Sequence, residues 1–197
     1  MKEEKNDWQK SSEFAEYCEL LKFESIGVNR QNLRSCAACA TWLKKWLEKI
    51  GAKAELVTEA FSPPILLAEI EGSLDYPTVL FYGHYDVQPV DPIELWHSDP
   101  FEPEIRDGAI YARGANDDKG QLFMHIKAFE FMVREGALKH NVKFILEGEE
   151  EIGSPSLAAW AKANKDMLKA DIILVSDTTM ISESVPSINC GMRGLSY

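Results

Sequence analysis

The chain has 197 residues, of which 32 are Asp or Glu and 21 are Lys or Arg, so its formal net charge is −11. Hydrophobic residues make up 45% of the chain and charged residues 27%, as in ordinary soluble globular proteins. The acidic balance argues against nucleic acid or anionic membranes as partners, because binding to either depends on basic patches.

The first part of the chain is predicted to contain two helices followed by three strands. Apolar residues recur at helical spacing after Ser11 or Ser12, and either serine can cap a helix. A second helix is predicted over residues 32–50 and ends at Gly51. Strands are predicted at residues 54–58, 65–70 and 78–82. The last of these is apolar on both faces, which is typical of a central strand.

In the second part of the chain, a long connection rich in Pro and Asp spans residues 90–107. A connection of this length in a compact domain is usually functional. Further elements are predicted in alternation: strands at 109–112, 142–146 and 172–175, helices at 119–135 and 154–164, and a possible strand start at 187–189. This alternation predicts an α/β fold with a mostly parallel sheet.

Acidic and histidine side chains lie just beyond three of these strands. They are His84, the glutamates at 149–151, and Asp177, while Asp117 lies in a loop before a helix. Ligands of α/β sheets gather beyond the carboxyl ends of the strands. We therefore expect these distant segments to converge on one edge of the sheet.

His84 and Asp86 are two residues apart, and residues i and i+2 of an extended chain point the same way. This pair fits a metal-binding imidazole whose ring is oriented by a carboxylate. The alternative is an ordinary loop pair. The preceding Gly83 and the following Pro89 indicate a tightly fixed turn and favour the metal-binding interpretation.

Each acidic cluster also has a simpler interpretation. Asp117 and Asp118 can cap the helix that follows, or one of them can bridge two metal ions. The glutamates at 149–151 can form a solvated turn, or a shaped loop in which a bound cation offsets their mutual repulsion. Asp177 alone would be read as a turn residue.

The remaining histidines and the C-x-x-C pair are predicted to be less informative. His125 lies on an apolar helix face and is predicted to be a core residue with its hydrogen bonds satisfied, whereas His97, in the long connection, can contact substrate. Cys36 and Cys39 fall in a helical pattern and are predicted to be small buried residues rather than a metal or redox site. The cytoplasm is the expected compartment, since no apolar run reaches membrane-helix length and residues 1–10 lack a signal-peptide core.

Four segments, taken in order, resemble the family of dinuclear zinc peptidases and deacylases. They are GHYDVQP, WHSDPFEPEIRDGAIYARGANDDKG, EGEEEIGS and VSDT. The family includes carnosine dipeptidases, cytosolic nonspecific dipeptidase, glutamate carboxypeptidases, and acetylornithine deacetylase/succinyl-diaminopimelate desuccinylase. The second segment is most similar to the dipeptidase branch. The resemblance implies a three-layer α/β/α fold and two divalent metal ions, most commonly zinc, with manganese or cobalt as alternatives.

The resemblance also implies roles for individual residues. His84 and Asp177 would bind one metal ion, Asp117 would bridge both ions, and Glu151 would bind the second. Asp86 would orient His84. Glu150 would be the general base in hydrolysis of a small peptide substrate. The peptide bond between Asp117 and Asp118 would be cis.

The chain departs from the family pattern beyond Asp177. The family needs a further histidine there and inserts a lid domain after a G-x-R-G segment, but no histidine follows His140 and the chain ends shortly after residues 191–194. We therefore expect residues 1–197 to be the N-terminal part of a catalytic domain, without the lid and the C-terminal part. Such a piece would be weakly active or inactive, and its parent would form a homodimer through the lid. The alternatives are an N-acyl amino acid deacylase and a non-catalytic metal-binding fragment.

Overall fold

The computed structural model describes residues 8–58, 61–73, 75–182, 184–189 and 191. Residues 192–197, which include most of the G-x-R-G segment, lie outside the described residues. The described helices are α1 (Ser12–Leu21), α2 (Leu33–Ile50), α3 (Lys119–Arg134) and α4 (Pro155–Ala163). The described strands are β1 (Lys53–Val57), β2 (Ile65–Ile70), β3 (Thr78–His84), β4 (Glu104–Arg106), β5 (Ala109–Tyr111), β6 (Asn141–Glu147) and β7 (Ile172–Val175).

Five strands form a central sheet in the order β1-β2-β6-β3-β7. Strand β3 pairs in parallel with both β6 and β7, whereas β2 pairs antiparallel with both β1 and β6. Strand β2 therefore runs against the other four, and the predicted mostly parallel α/β sheet is confirmed. Because β3, β6 and β7 run the same way, their carboxyl ends share one edge of the sheet.

Helices cover both faces of this sheet. On one face, Leu43, Leu47 and Leu122 of α2 and α3 pack with Phe81 and Phe144 of the strands in the main buried cluster. On the other face, Leu157 and Trp160 of α4 pack against a smaller cluster formed by Leu67, Leu80 and Ile145. The alternation of these side chains along each strand produces the two apolar faces. The result is the three-layer arrangement that the resemblance implied.

The predicted helix ends are confirmed by their capping contacts. The hydroxyl of Ser11 accepts a hydrogen bond from the Phe14 N–H at 3.0 Å and so caps α1. Gly51 ends α2 in the left-handed conformation, with φ of 107°. Such capping residues are strong sequence signals, because each cap pairs backbone groups that the helix itself leaves unpaired.

Two predictions about secondary structure were wrong. The connection at residues 90–107 is not irregular throughout, because it contains a 3-10 turn at Ile93–Leu95 and strand β4, which pairs with β5 in a separate two-stranded sheet. Residues 187–189 form no strand, and the nearest pairing is an isolated bridge between Ser182 and Val185. None of the helices in the described part of the chain is long and apolar enough to cross a bilayer.

Candidate metal centre

His84 is the last residue of β3 and is fully buried. Its Nδ1 lies 3.1 Å from the Asp86 carbonyl oxygen and 3.3 Å from Asp86 Oδ1. Because these partners are both acceptors, they favour a proton on Nδ1. In the neutral ring that proton leaves a lone pair on Nε2, which is the arrangement of a metal-binding imidazole.

Three carboxylates surround the other ring nitrogen of His84. Nε2 lies 3.1 Å from Asp117 Oδ1, 3.5 Å from Asp177 Oδ2 and 3.8 Å from Glu150 Oε2. It makes no hydrogen bond to any of them although the atom is buried. A lone pair and three carboxylates repel one another unless a positive charge lies between them. The contacts of Nε2 therefore fit a cation site.

The site brings together residues from three different segments of the chain. Ligand atoms of His84, Asp117 and Asp177 all lie within 4.8 Å of one another. His84 ends β3, and Asp177 follows β7, the parallel neighbour of β3. Asp117 precedes α3. A nitrogen and two carboxylates are ligands that suit zinc, manganese or cobalt, so these residues fit the implied metal.

Glu150 and Glu151 lie in a 3-10 turn that follows β6. Asp86 holds this turn, because its Oδ1 accepts from the Glu150 N–H at 3.3 Å and its Oδ2 from the Glu151 N–H at 3.2 Å. The Oε2 of Glu151 accepts from Gln88 Nε2 at 2.6 Å and is not part of the group of three. Asp86 therefore fixes both the His84 ring and the glutamate turn. This arrangement favours the shaped loop over the solvated turn.

Asp118 does not use its side chain to cap α3. Its Oδ2 instead accepts the His84 N–H at 3.1 Å, and the side chain is almost fully buried. The Asp117–Asp118 peptide bond is cis, as expected. The pair thus ties the start of α3 to the end of β3 and leaves the Asp117 carboxylate facing His84.

Acids crowd the site, with Asp118 buried and Asp117 and Asp177 exposed, and they shift one another's pKa. Burial raises the pKa of Asp118 to about 7, and the nearby Asp177 and Asp117 add to the shift. Burial likewise raises the pKa of Glu150, with further contributions from Asp177 and Asp86. Burial opposes charge on His84, but its hydrogen bond to Asp86 and the surrounding carboxylates raise its pKa to about 10. All three shifts indicate that this pocket favours an added positive charge.

Several residues that support the site carry no recognisable sequence signal. The Ser25 hydroxyl donates to the Tyr85 carbonyl at 2.6 Å, and the Ser25 carbonyl accepts the Val87 N–H at 3.0 Å. Gly27 approaches so closely that a Cβ there would lie 2.3 Å from the Gly148 carbonyl oxygen. Ser25 lies 60 positions from Tyr85, and Gly27 lies about 120 positions from Gly148, so no local pattern points to either residue.

Glu147 forms a second support, beneath the glutamate turn. Its Oε1 accepts hydrogen bonds from Tyr82 Oη and Ser154 Oγ, both at 2.7 Å. These contacts join the end of β6 to Ser154, the residue just before α4, and so fix the far end of the turn. The segment EGEEEIGS contains Glu147 and Ser154, but the signal in its sequence is the run of three glutamates, which does not point to either residue.

The other candidate residues lie apart from this group. Cys36 and Cys39 are fully buried in α2, and burial raises the pKa of both thiols, to about 12 and about 11, so the prediction of small buried residues is confirmed. His97 lines a separate cleft beside Trp96 and Tyr111. His125 hydrogen-bonds Ser176, as predicted for a satisfied histidine, but its side chain is only half-buried.

Comparisons with known proteins agree with this geometry. The family model for peptidase family M20/M25/M40 matches residues 80–189, which include all four segments. The beta-Ala-His dipeptidase of Rattus norvegicus is 42% identical over 139 residues, covering 69% of this chain and 28% of the relative. The chain therefore spans less than a third of that relative's length.

A deacylase and a solved dipeptidase structure are also similar. The succinyl-diaminopimelate desuccinylase of Leptothrix cholodnii is 36% identical over 128 residues, covering 62% of this chain and 33% of the relative. The crystal structure of human carnosine dipeptidase 1 superposes with a TM-score of 0.81 at 31% identity, covering 89% of this chain and 40% of that one. The similarity therefore extends across the sheet and the helices that position the acidic cluster.

Proposed function

We propose that this chain, which belongs to peptidase family M20/M25/M40, forms part of the catalytic domain of a metal-dependent dipeptidase with a dinuclear zinc-type centre. The observation that carries the proposal is the buried Nε2 of His84, which faces Asp117 and Asp177 without a hydrogen bond. Manganese or cobalt can take the place of zinc with the same ligand types.

Two sets of ligands would share one carboxylate. His84 and Asp177 would hold the first ion, and Asp117 would bridge to a second ion held by Glu151. Support comes from the mutual distances of His84, Asp117 and Asp177. Glu151 belongs to the same turn as Glu150, which also faces His84. The second ion requires at least one further ligand, which the described residues do not place at this edge.

The chemistry would be hydrolysis of the amide bond of a dipeptide or short peptide. Bound divalent ions would supply a Lewis acid for the scissile carbonyl and would lower the pKa of a bound water, so that the water can lose a proton at neutral pH. Glu150 would take a proton from the attacking water and pass it to the leaving nitrogen. Asp86 would hold both the His84 ring and the Glu150 backbone through one carboxylate oxygen, Oδ1, while its Oδ2 holds the Glu151 backbone. The substrate would be small.

A second candidate activity is removal of an N-acyl group from an amino acid. The similarity to a succinyl-diaminopimelate desuccinylase favours this candidate, because that protein matches much of the same segment. Both reactions cleave an amide bond with the same groups, so the cluster does not distinguish them. The dipeptidase is preferred because a beta-Ala-His dipeptidase matches this chain at higher identity. A metal-binding segment without turnover is the remaining alternative.

Substrate preference tests the proposal directly. We expect the full-length protein, loaded with zinc or manganese, to hydrolyse unmodified dipeptides at least about tenfold faster than N-acetyl or N-succinyl amino acids, measured as kcat/KM from amine release. Prior treatment with a chelator should abolish turnover, and added metal should restore it. Faster release from the N-acylated substrates would establish the deacylase instead, and no turnover of either class would favour the non-catalytic segment.

The partners and the cellular compartment of the full-length protein are also proposals. Homodimerisation through a lid domain remains a proposal, and so does the cytoplasm as compartment. We propose no contact with nucleic acid, since the net charge of −11 opposes it.

A further inference from the structure

His125 connects helix α3 to the segment that carries Asp177. Its Nε2 lies 2.7 Å from Ser176 Oγ, the hydroxyl of the residue just before Asp177. Its ring also packs against Phe81 of β3, with centroids 4.6 Å apart. Burial lowers the pKa of His125 and so favours the neutral ring, whose Nε2 forms one hydrogen bond with the hydroxyl. Both contacts fix the orientation of the imidazole.

The sheet itself does not hold Asp177. The β3–β7 ladder runs from the Val79–Ile172 pair to the Tyr82–Val175 pair, so Ser176 and Asp177 lie beyond its last pair. Within the described residues β7 is also the edge strand of the sheet, with β3 as its partner. An edge segment past its last ladder pair is easily displaced unless another contact restrains it.

The direction of the side chains explains why α3 supplies that contact. Successive residues of a strand point to opposite faces, so Ser176 continues the face of Leu174. Leu174 packs against the main cluster, on the face covered by α3. Ser176 therefore faces α3, where His125 meets it. The neighbouring Asp177 is left to face His84, at 3.5 Å from its Nε2.

We propose that His125 is a positioning residue for Asp177, acting through the Ser176 hydroxyl. The inference rests on the proposed function, because it assigns His125 a part in holding one ligand of the first metal ion. The bond to Ser176 prevents the 176–178 segment from swinging away from His84, so less ordering is needed when the metal binds. Losing such an outer hydrogen bond typically weakens metal binding by 10 to 100-fold, and we expect the lower end because the link is indirect.

The test compares four variants of the full-length protein by competition of zinc with a chelator of known affinity. His125→Phe keeps a ring against Phe81 but removes the bond, and Ser176→Ala removes the other partner. Each should weaken zinc binding about tenfold, and the double variant should lose no more than either single one, because both remove the same bond. His125→Gln, whose amide can bond Ser176, should recover part of the affinity.

His140→Phe is the matched control, since it makes the same substitution at a histidine whose ring packs on Tyr76 beside the start of β6. It should bind zinc as the wild type does. Thermal unfolding identifies any variant that fails to fold, and Ser176→Ala then carries the test alone.

Three outcomes are decisive. Wild-type affinity in folded His125→Phe, or additive losses in the double variant, would overturn the role of His125 while leaving the metal centre intact. Failure of the wild-type protein to bind any divalent ion would instead overturn the proposed function, and the inference with it. Asp177→Asn, measured in parallel, separates the two cases because it removes the ligand itself.

Discussion

Replacement of Glu150 by glutamine is expected to lower dipeptide turnover by roughly a thousandfold while metal content stays close to that of the wild type. Glutamine keeps the shape of the side chain but cannot accept a proton from water. Glu150 is not one of the three residues whose ligand atoms cluster, so its amide should not expel the metal. Turnover of a dipeptide and metal content by elemental analysis, on the same preparation, check both parts.

Glu149→Gln is the matched control for this substitution. Glu149 precedes Glu150 in the chain, but its Oε2 accepts the Ser156 N–H at 3.0 Å and so faces the start of α4 instead of His84. An amide oxygen can accept the same bond, so turnover should stay within a few-fold of the wild type. Full activity in Glu150→Gln, or an equal loss in Glu149→Gln, would show that Glu150 is not the base.

The second large effect is expected at the proposed bridging ligand. Asp117→Asn should weaken binding of both ions, by more than about a hundredfold, because one carboxylate serves both sites and an amide offers a single neutral oxygen. Asp177→Asn should release only the ion that it shares with His84. Metal content after dialysis should therefore be lower in the Asp117 variant than in the Asp177 variant.

Asp171→Asn provides the control for these aspartates. Asp171 lies at the other end of β7 from Asp177, and its Oδ2 accepts the Thr78 N–H at 2.8 Å, a bond that an amide oxygen can replace. Its metal content should match the wild type. Equal metal content in the Asp117 and Asp177 variants would contradict the bridging role, and unchanged content in both would contradict the ligand set.

The helices and most strands of this fold were predictable because each leaves a local signal. Helical spacing with a capping serine fixed the start of α1, and Gly51 fixed the end of α2. The order of the strands was not predictable in the same way. That β2 pairs antiparallel with β6 depends on contacts between residues that are far apart in the chain, such as Leu66 with Leu146, 80 positions away. Strand β4 is three residues long and lies in the connection rich in Pro and Asp, whose composition indicated a loop.

The candidate site follows the same division. His84, Asp117 and Asp177 were predicted to converge because each lies beside a strand end or helix start, and the structure brings them within 4.8 Å. The residues that support them were missed or misread. Ser25 lies in the short connection between α1 and α2, with no pattern of its own, and the apolar neighbours of His125 on α3 indicated a core residue without naming its partner. Only the fold places these side chains beside their partners.

The most direct test of the metal centre is anomalous X-ray scattering at the zinc edge, from crystals of the full-length protein grown with zinc. We expect one peak bonded to His84 and Asp177 and a second a few ångströms away, with Asp117 contacting both. Crystals that hold zinc elsewhere on the protein, with no anomalous density beside His84 Nε2, would contradict the assignment of these residues as ligands.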